Sequence, residues 1–188
     1  MPDTYIEGGK TYASAVALLD QERGSMVSLE GAWVPRIDDS VVGIITENKN
    51  HVYNVDLSHF GRALIIEGRY EKYSLEIGDV IEARIKNVEE RKTIILSYPK
   101  TLDGGVVINV KPMKIPRVIG KDDTMVKQIA EATRTKIVIG YNGMIWIKGA
   151  GAGLAIEAIS IIESEAHMPG LTERIRLMLE KGNKSNGV

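Results

Sequence analysis

The 188-residue chain contains no cysteine. That excludes a disulfide framework and any thiolate metal site. It also lacks an excess of either charge: 24 Lys and Arg stand against 25 Asp and Glu, net −1 at pH 7. A basic coat that would bind polyanions by bulk charge is therefore absent, while a local basic face remains possible. Long apolar runs are missing too. Stretches such as AVALL and VVGII fall far short of the ~20 residues a membrane-crossing helix needs. The opening MPDTYIEGGK has no apolar core of a signal peptide. These absences predict a soluble, cytoplasmic protein without a membrane partner.

Catalytic signatures are scarce as well. The sequence has no P-loop, no HxxxH pair and no nucleophile elbow. Asp38-Asp39 and Asp122-Asp123 have neither a His nor a third acid at ligand spacing, and they read as turn or cap residues rather than metal carboxylates. No catalytic residue, metal or other cofactor is expected.

What charge there is lies unevenly. Residues 1–35 hold 2 basic and 5 acidic side chains, residues 36–98 hold 9 and 11, and residues 99–188 hold 13 and 9. Within the last segment, 99–149 carries 9 basic against 4 acidic. A polyanion attracted by charge would be drawn there.

The hydrophobic pattern divides the chain at the same places. Residues 1–35 carry two β-like runs, TYASAVALL (11–19) and SMVSLEGAWV (25–34), predicting a small hairpin or meander too short to stand alone. Residues 36–98 carry five short runs, at 41–46, 51–57, 61–66, 79–88 and 93–98. In the fourth, Ile81, Ala83 and Ile85 alternate with Glu82, Arg84 and Lys86. Five strands in so short a span predict a small Greek-key barrel of the OB type.

Residues 99–188 switch to mixed α and β. A strand at 105–110 precedes a helix with Val126, Ile129, Ala130 and Thr133 on one face. Asn142-Gly143, between two apolar runs, predicts a two-residue type I′ hairpin. Leu154, Ala158, Ile161 and Ile162 mark another helix; TERIRLMLEK suggests a short last one, and GNKSNGV a frayed tail. If KIPRVIG (114–120) is one tight helical turn, the order is β-α-α-β-β-α, and the expected class is mostly β plus α+β.

Between the first two helices lies PRVIGKDDTMVKQI (116–129), a glycine-bearing loop at a helix start. With the element order, it resembles a type I KH domain, whose Gly-x-x-Gly loop holds nucleic-acid backbone. The matching tetrad is Gly120-Lys121-Asp122-Asp123, with Asp123 in the place of the second glycine. Either carboxylate could cap the following helix and occupy the N–H groups a phosphate would use. Clamp and capped helix both remain open readings. The resemblance implies backbone contacts from Lys114, Arg117, Gly120, Lys121 and Lys127.

The segments at 39–43, 52–56, 78–80 and 93–97 resemble an S1-type OB fold. That implies base stacking on the second and third strands, and the groups available are His51, Tyr53, His59, Phe60 and Arg62, with Arg84 and Lys86 from the next strand. Phe60 could instead fill the barrel mouth, and His51 and His59 could be plain turn residues. Taken together, Thr11-Tyr12-Ala13-Ser14, Val41 to Ile45, Tyr53 to Asp56 and Pro116 to Gly120 occur in an order that resembles the RNA-binding cap subunit family of the archaeal exosome. The resemblance implies a non-catalytic subunit, three copies of which guide single-stranded RNA 3′ ends into a ring of nuclease-type subunits. It implies domains at 1–35, 36–98 and 99–188. Two alternatives stay beside it: a scaffold of that complex with little RNA contact, and an unrelated RNA-binding regulator built from the same modules.

Overall fold

The computed structural model describes residues 4–13, 17–20, 25–28, 33–58, 60, 62–68, 72–89, 93–166, 168 and 170–185. They fall into two compact units, Met1–Val34 and Pro35–Val188.

The first unit is two hairpins. Strand β1 (Thr4–Glu7) pairs with β2 (Lys10–Ala13), and β3 (Ala17–Asp20) pairs with β4 (Ser25–Ser28). Two runs were expected to give one small hairpin or meander; two hairpins of four strands are found among the described residues. Gly8 and Gly9, with φ of 58° and 76°, supply the positive φ pair of a type I′ turn and reverse the chain after only four residues. The run at 11–19 consequently spans the end of β2 and the start of β3.

The second unit begins with the expected five-stranded closed barrel: β5 (Ser40–Lys49), β6 (Val52–Asp56), β7 (Arg62–Ile66), β8 (Val80–Val88) and β9 (Thr93–Thr101). Around the barrel the order is β5-β6-β7-β9-β8, closed by the parallel β7–β9 pair and the antiparallel β5–β8 pair. Alternation sets the interior. Ile81, Ala83 and Ile85 are buried while Arg84 and Lys86 are exposed. Gly43 is required where β5 meets β6, because a Cβ there would lie 2.5 Å from Val55 Cγ1.

A β-α-α-β-β-α unit follows: β10 (Val106–Asn109), α1 (Ile115–Ile119), α2 (Thr124–Thr133), β11 (Lys136–Ile139), β12 (Met144–Lys148) and α3 (Ala152–Glu165). The sheet is antiparallel in the order β10-β12-β11. Helix α2 buries Met125, Ile129 and Thr133, so its stripe is centred one residue from the expected one; α3 buries Ala155, Ala158, Ile159 and Ile162. A fourth helix, α4 (Leu171–Ser185), is longer than TERIRLMLEK suggested. Its Leu171, Ile175 and Leu179, one helical turn apart, join the same core.

Strand β12 explains how barrel and helical unit are joined. Met144 to Ile147 are all buried, although a strand with one wet face would alternate. Ile145 and Ile147 face the helices. Met144 and Trp146 cluster with Val42 and Leu102 on the barrel side. Asn142, 2% exposed, fastens the seam: its Oδ1 accepts from Val42 N at 3.2 Å, and its Nδ2 donates to Val42 O at 2.8 Å and Leu57 O at 3.3 Å. Tyr141 N adds a bond to Ser40 O at 2.9 Å.

Asn142-Gly143 therefore does not form the expected type I′ turn. Gly143 has φ of 91° but Asn142 has no positive φ, and the turn spans Gly140 to Gly143, with Gly143 N donating to Gly140 O at 3.0 Å. The asparagine is drawn into the seam instead. A positive φ pair of that kind does occur at Asn50 and His51 (48° and 65°), between β5 and β6.

Candidate nucleic-acid interface

The barrel residues expected to form one face do not come together. His51 and Arg62 lie on the β6–β7 side, Arg84 and Lys86 on β8, and β5 and β9 separate the two sets around the barrel. His59 lies outside the described residues.

Tyr53 leaves the stacking set, which is a correction. It shares the inward face of β6 with Val55, and both are 4% exposed. Its hydroxyl lies 2.9 Å from Glu67 Oε1 and 2.9 Å from Tyr73 O. A base cannot reach a ring held there. Burial, followed by the adjacent Glu67 carboxylate, pushes the Tyr53 phenol above its ordinary range. Glu67 gathers the surroundings: it accepts from Tyr73 N at 3.0 Å, and its Oε2 lies 2.7 Å from His51 Nδ1. The Tyr73 N–H first, then His51 and Tyr53, hold its carboxyl below the ordinary 4.5. His51 is thus an exposed turn residue with a carboxylate partner.

Arg62 lines a surface groove with Glu47, Asn54 and Asp56. Its Nε donates to Asn54 Oδ1 at 3.4 Å, Asn54 Nδ2 donates to Glu47 Oε2 at 2.6 Å, and Lys49 pairs with Glu47. Two acids and two bases share this wall, and its field is small. Phe60 lines a groove of about 340 Å³ with Val110, Pro112 and Asn142, between barrel and helical unit.

The β8–β9 wall differs. Arg84, Lys86 and Lys100 are exposed, and none makes an ion pair or side-chain hydrogen bond among the described residues. Between them stands Tyr98, 74% exposed with φ of 53°. Such a conformation costs a bulky residue ~1–3 kcal/mol. The sequence reading passes over Tyr98 and Lys100. Their signal is Pro99 directly after the strand run at 93–98, since proline in a sheet marks an edge or a bulge.

At the KH-type loop, the capping expectation is corrected. Gly120, Asp122 and Asp123 all take positive φ (77°, 52° and 61°), and no side chain caps α2. An N-cap residue ordinarily has β-region backbone. From the left-handed region Asp123 turns its carboxylate toward Lys127 Nζ, 3.7 Å away. Thr124 Oγ1 donates to Lys121 O at 2.7 Å. Gly120 is required twice over: by its φ, and by Met125, whose Cβ would lie 2.7 Å from any added Cβ. Arg117 is partly committed elsewhere, donating through Nε to Ala166 O at 3.1 Å beyond the end of α3. Lys114 and Lys121 have no side-chain partner among the described residues.

Comparison with known proteins agrees with this architecture. Residues 105–152 match the KH domain family model. The chain is 35% identical to the exosome complex component Rrp4 of Pyrococcus furiosus, over 94% of its own length and 75% of that protein's. Against the Rrp4 components of Picrophilus torridus and Thermoplasma acidophilum, identity is 36% and 38%, over 86% and 85% of this chain and 76% and 74% of theirs. A crystal structure assigned to an exosome complex RNA-binding protein superposes with a TM-score of 0.70 at 26% identity, covering 83% of this chain and 99% of that one. A closed five-stranded barrel seamed to a KH unit, and identity at this level along nearly the whole sequence, have one explanation: the chain belongs to the Rrp4 family of exosome complex components.

Proposed function

We propose that this chain is an RNA-binding subunit of an exosome, doing no chemistry itself and guiding single-stranded RNA 3′ ends to a ring of nuclease-type subunits, with three copies per complex in the cytoplasm. The observation that carries the reading is the 35% identity to a named exosome component across 94% of the chain. The site is consistent with it. Exposed cations without internal partners can neutralise phosphates of a flexible strand while the whole chain stays near neutrality. In this reading 1–35 serves docking, 36–98 contacts RNA, and 99–188 contributes both.

The scaffold alternative is disfavoured by the unpartnered cations on β8 and β9, which a purely structural role leaves without use. The test is to combine the full chain with nuclease-type ring subunits and follow particle mass and RNA retention together. Stable association with increased retention of single-stranded RNA is expected, along with no RNA cleavage by the chain alone in Mg²⁺. Association without added retention would leave the scaffold reading, and cleavage by the purified chain would overturn both.

A further inference from the structure

Strand β9 carries an irregularity that ordinary ladder pairing does not explain. Its register passes from Arg84↔Ser97 to Glu82↔Lys100, so Tyr98 and Pro99 together oppose Ala83. This is a β-bulge, a device that re-aims a side chain. The Tyr98 side chain is aimed into solvent and makes no hydrogen bond, ion pair or ring contact among the described residues. A strained, exposed aromatic whose side chain has no partner among the described residues contributes little to folding.

A second exposed tyrosine stands on the far side of Arg84. Ser40 of β5 is the cross-strand partner of Arg84, and Ser40 O accepts from Tyr141 N in the KH-unit turn. Tyr141 is 42% exposed, and its side chain is likewise without a partner. Reading across the surface, the backbone order is Ser97, which directly precedes Tyr98, then Arg84, Ser40 and Tyr141. Three interstrand steps of ~4.8 Å make this about 14 Å, a length that about four stacked nucleotides cover at ~3.4 Å each.

We propose that Tyr98 and Tyr141, on either side of Arg84, are two stacking positions for unpaired bases of one RNA strand passing from the barrel wall to the KH unit. This rests on the RNA-binding reading above and specifies where the strand runs. Stacking tolerates any base, because every base has a π face, and a basic groove supplies the backbone contacts. Arg84, Lys86 and Lys100 provide that charge; the carboxylates beside them are Glu82, which is cross-strand from Lys100 and accepts from Ser40 Oγ at 3.3 Å, and Asp38 and Asp39, whose backbone bonds to Ile85. A protein partner is the poorer fit, since lysines are depleted from the cores of protein interfaces and two of them flank the ring here.

The experiment measures binding of a fluorescent 20-nucleotide oligouridylate to the full chain across a salt series. Tyr98→Ala and Tyr141→Ala should each weaken binding about tenfold without changing the salt slope. Tyr98→Phe, which keeps the ring, should stay within about twofold. Tyr98→Trp should bind and show indole quenching on addition of RNA. Unaltered thermal midpoints establish that each variant is folded. If the wild-type chain binds and both alanine variants bind equally well, this proposal fails and the RNA-binding reading stands. If they lose only ring-subunit association, the surface faces protein and the proposal is again overturned. If the wild-type chain binds no RNA, alone or on the ring, both fall.

Discussion

The barrel presents two walls built from the same residue types to opposite effect. On β5–β6–β7, Arg62, Lys49, Asn54 and Glu47 are linked to one another, and Asp56 lies in the same groove. On β8–β9, Arg84, Lys86 and Lys100 have no side-chain partner among the described residues, and a tyrosine likewise without one stands among them on a strained bulge. Counting basic residues would rank the walls together; asking which charges are already neutralised separates them. A cation beside a carboxylate has little field left to offer a phosphate.

The seam is what holds these walls in place, and breaking it should have the largest effect. Asn142→Ala would strip partners from Val42 N, Val42 O and Leu57 O inside a buried interface. A loss of about 2–4 kcal/mol is expected, read as a lower urea midpoint. A loss under about 1 kcal/mol would mean that water replaces the side chain and the seam is looser than described.

Arginine substitutions then compare the walls directly. Arg84→Gln should remove one phosphate contact, about 0.7 from the salt slope and about fivefold in affinity near 0.1 M salt. Arg62→Gln should change affinity by less than about twofold, its charge already being offset. Equal losses from both would erase the distinction between the walls.

A smaller effect is expected at the KH loop. Asp123→Gly relieves a left-handed φ of 61° and removes one carboxylate, so RNA should bind about two- to threefold tighter. Titration of RNA against both proteins checks this, and unchanged or weaker binding would show that the aspartate does not oppose a phosphate. The smallest effect concerns Glu67. Its carboxyl sits below its ordinary 4.5 in the folded chain. The stabilisation is therefore complete above that value and is lost as pH falls through the folded value. Thermal midpoints of Glu67→Gln should fall less steeply with acidification than those of the wild-type chain.

Much of the fold is legible in the sequence because strict alternation leaves little choice. Ile81, Ala83 and Ile85 can share only one face of a strand, and that face must be inside. The same rule places Tyr53 with Val55 in the interior, and treating Tyr53 as a base platform overlooked that period. Other misses have non-local causes. Asn142-Gly143 carries the strongest local hairpin signal, yet the seam to Val42, 100 residues earlier in sequence, claims the asparagine. Asp122 and Asp123 look like caps by residue type, but both take left-handed backbone and neither side chain caps the helix. Tyr98 was hidden inside an apparent strand end, and only the bulge at Pro99 exposes it.

Photocrosslinking tests the central claim most directly. A 4-thiouridine-substituted single strand is bound to the full chain seated on its ring subunits, irradiated, and the adducts are mapped by mass spectrometry. Adducts on the peptides carrying Tyr98 and Tyr141, with none on the Asn54–Arg62 wall, are the predicted result. Adducts confined to the Asn54–Arg62 wall would contradict it.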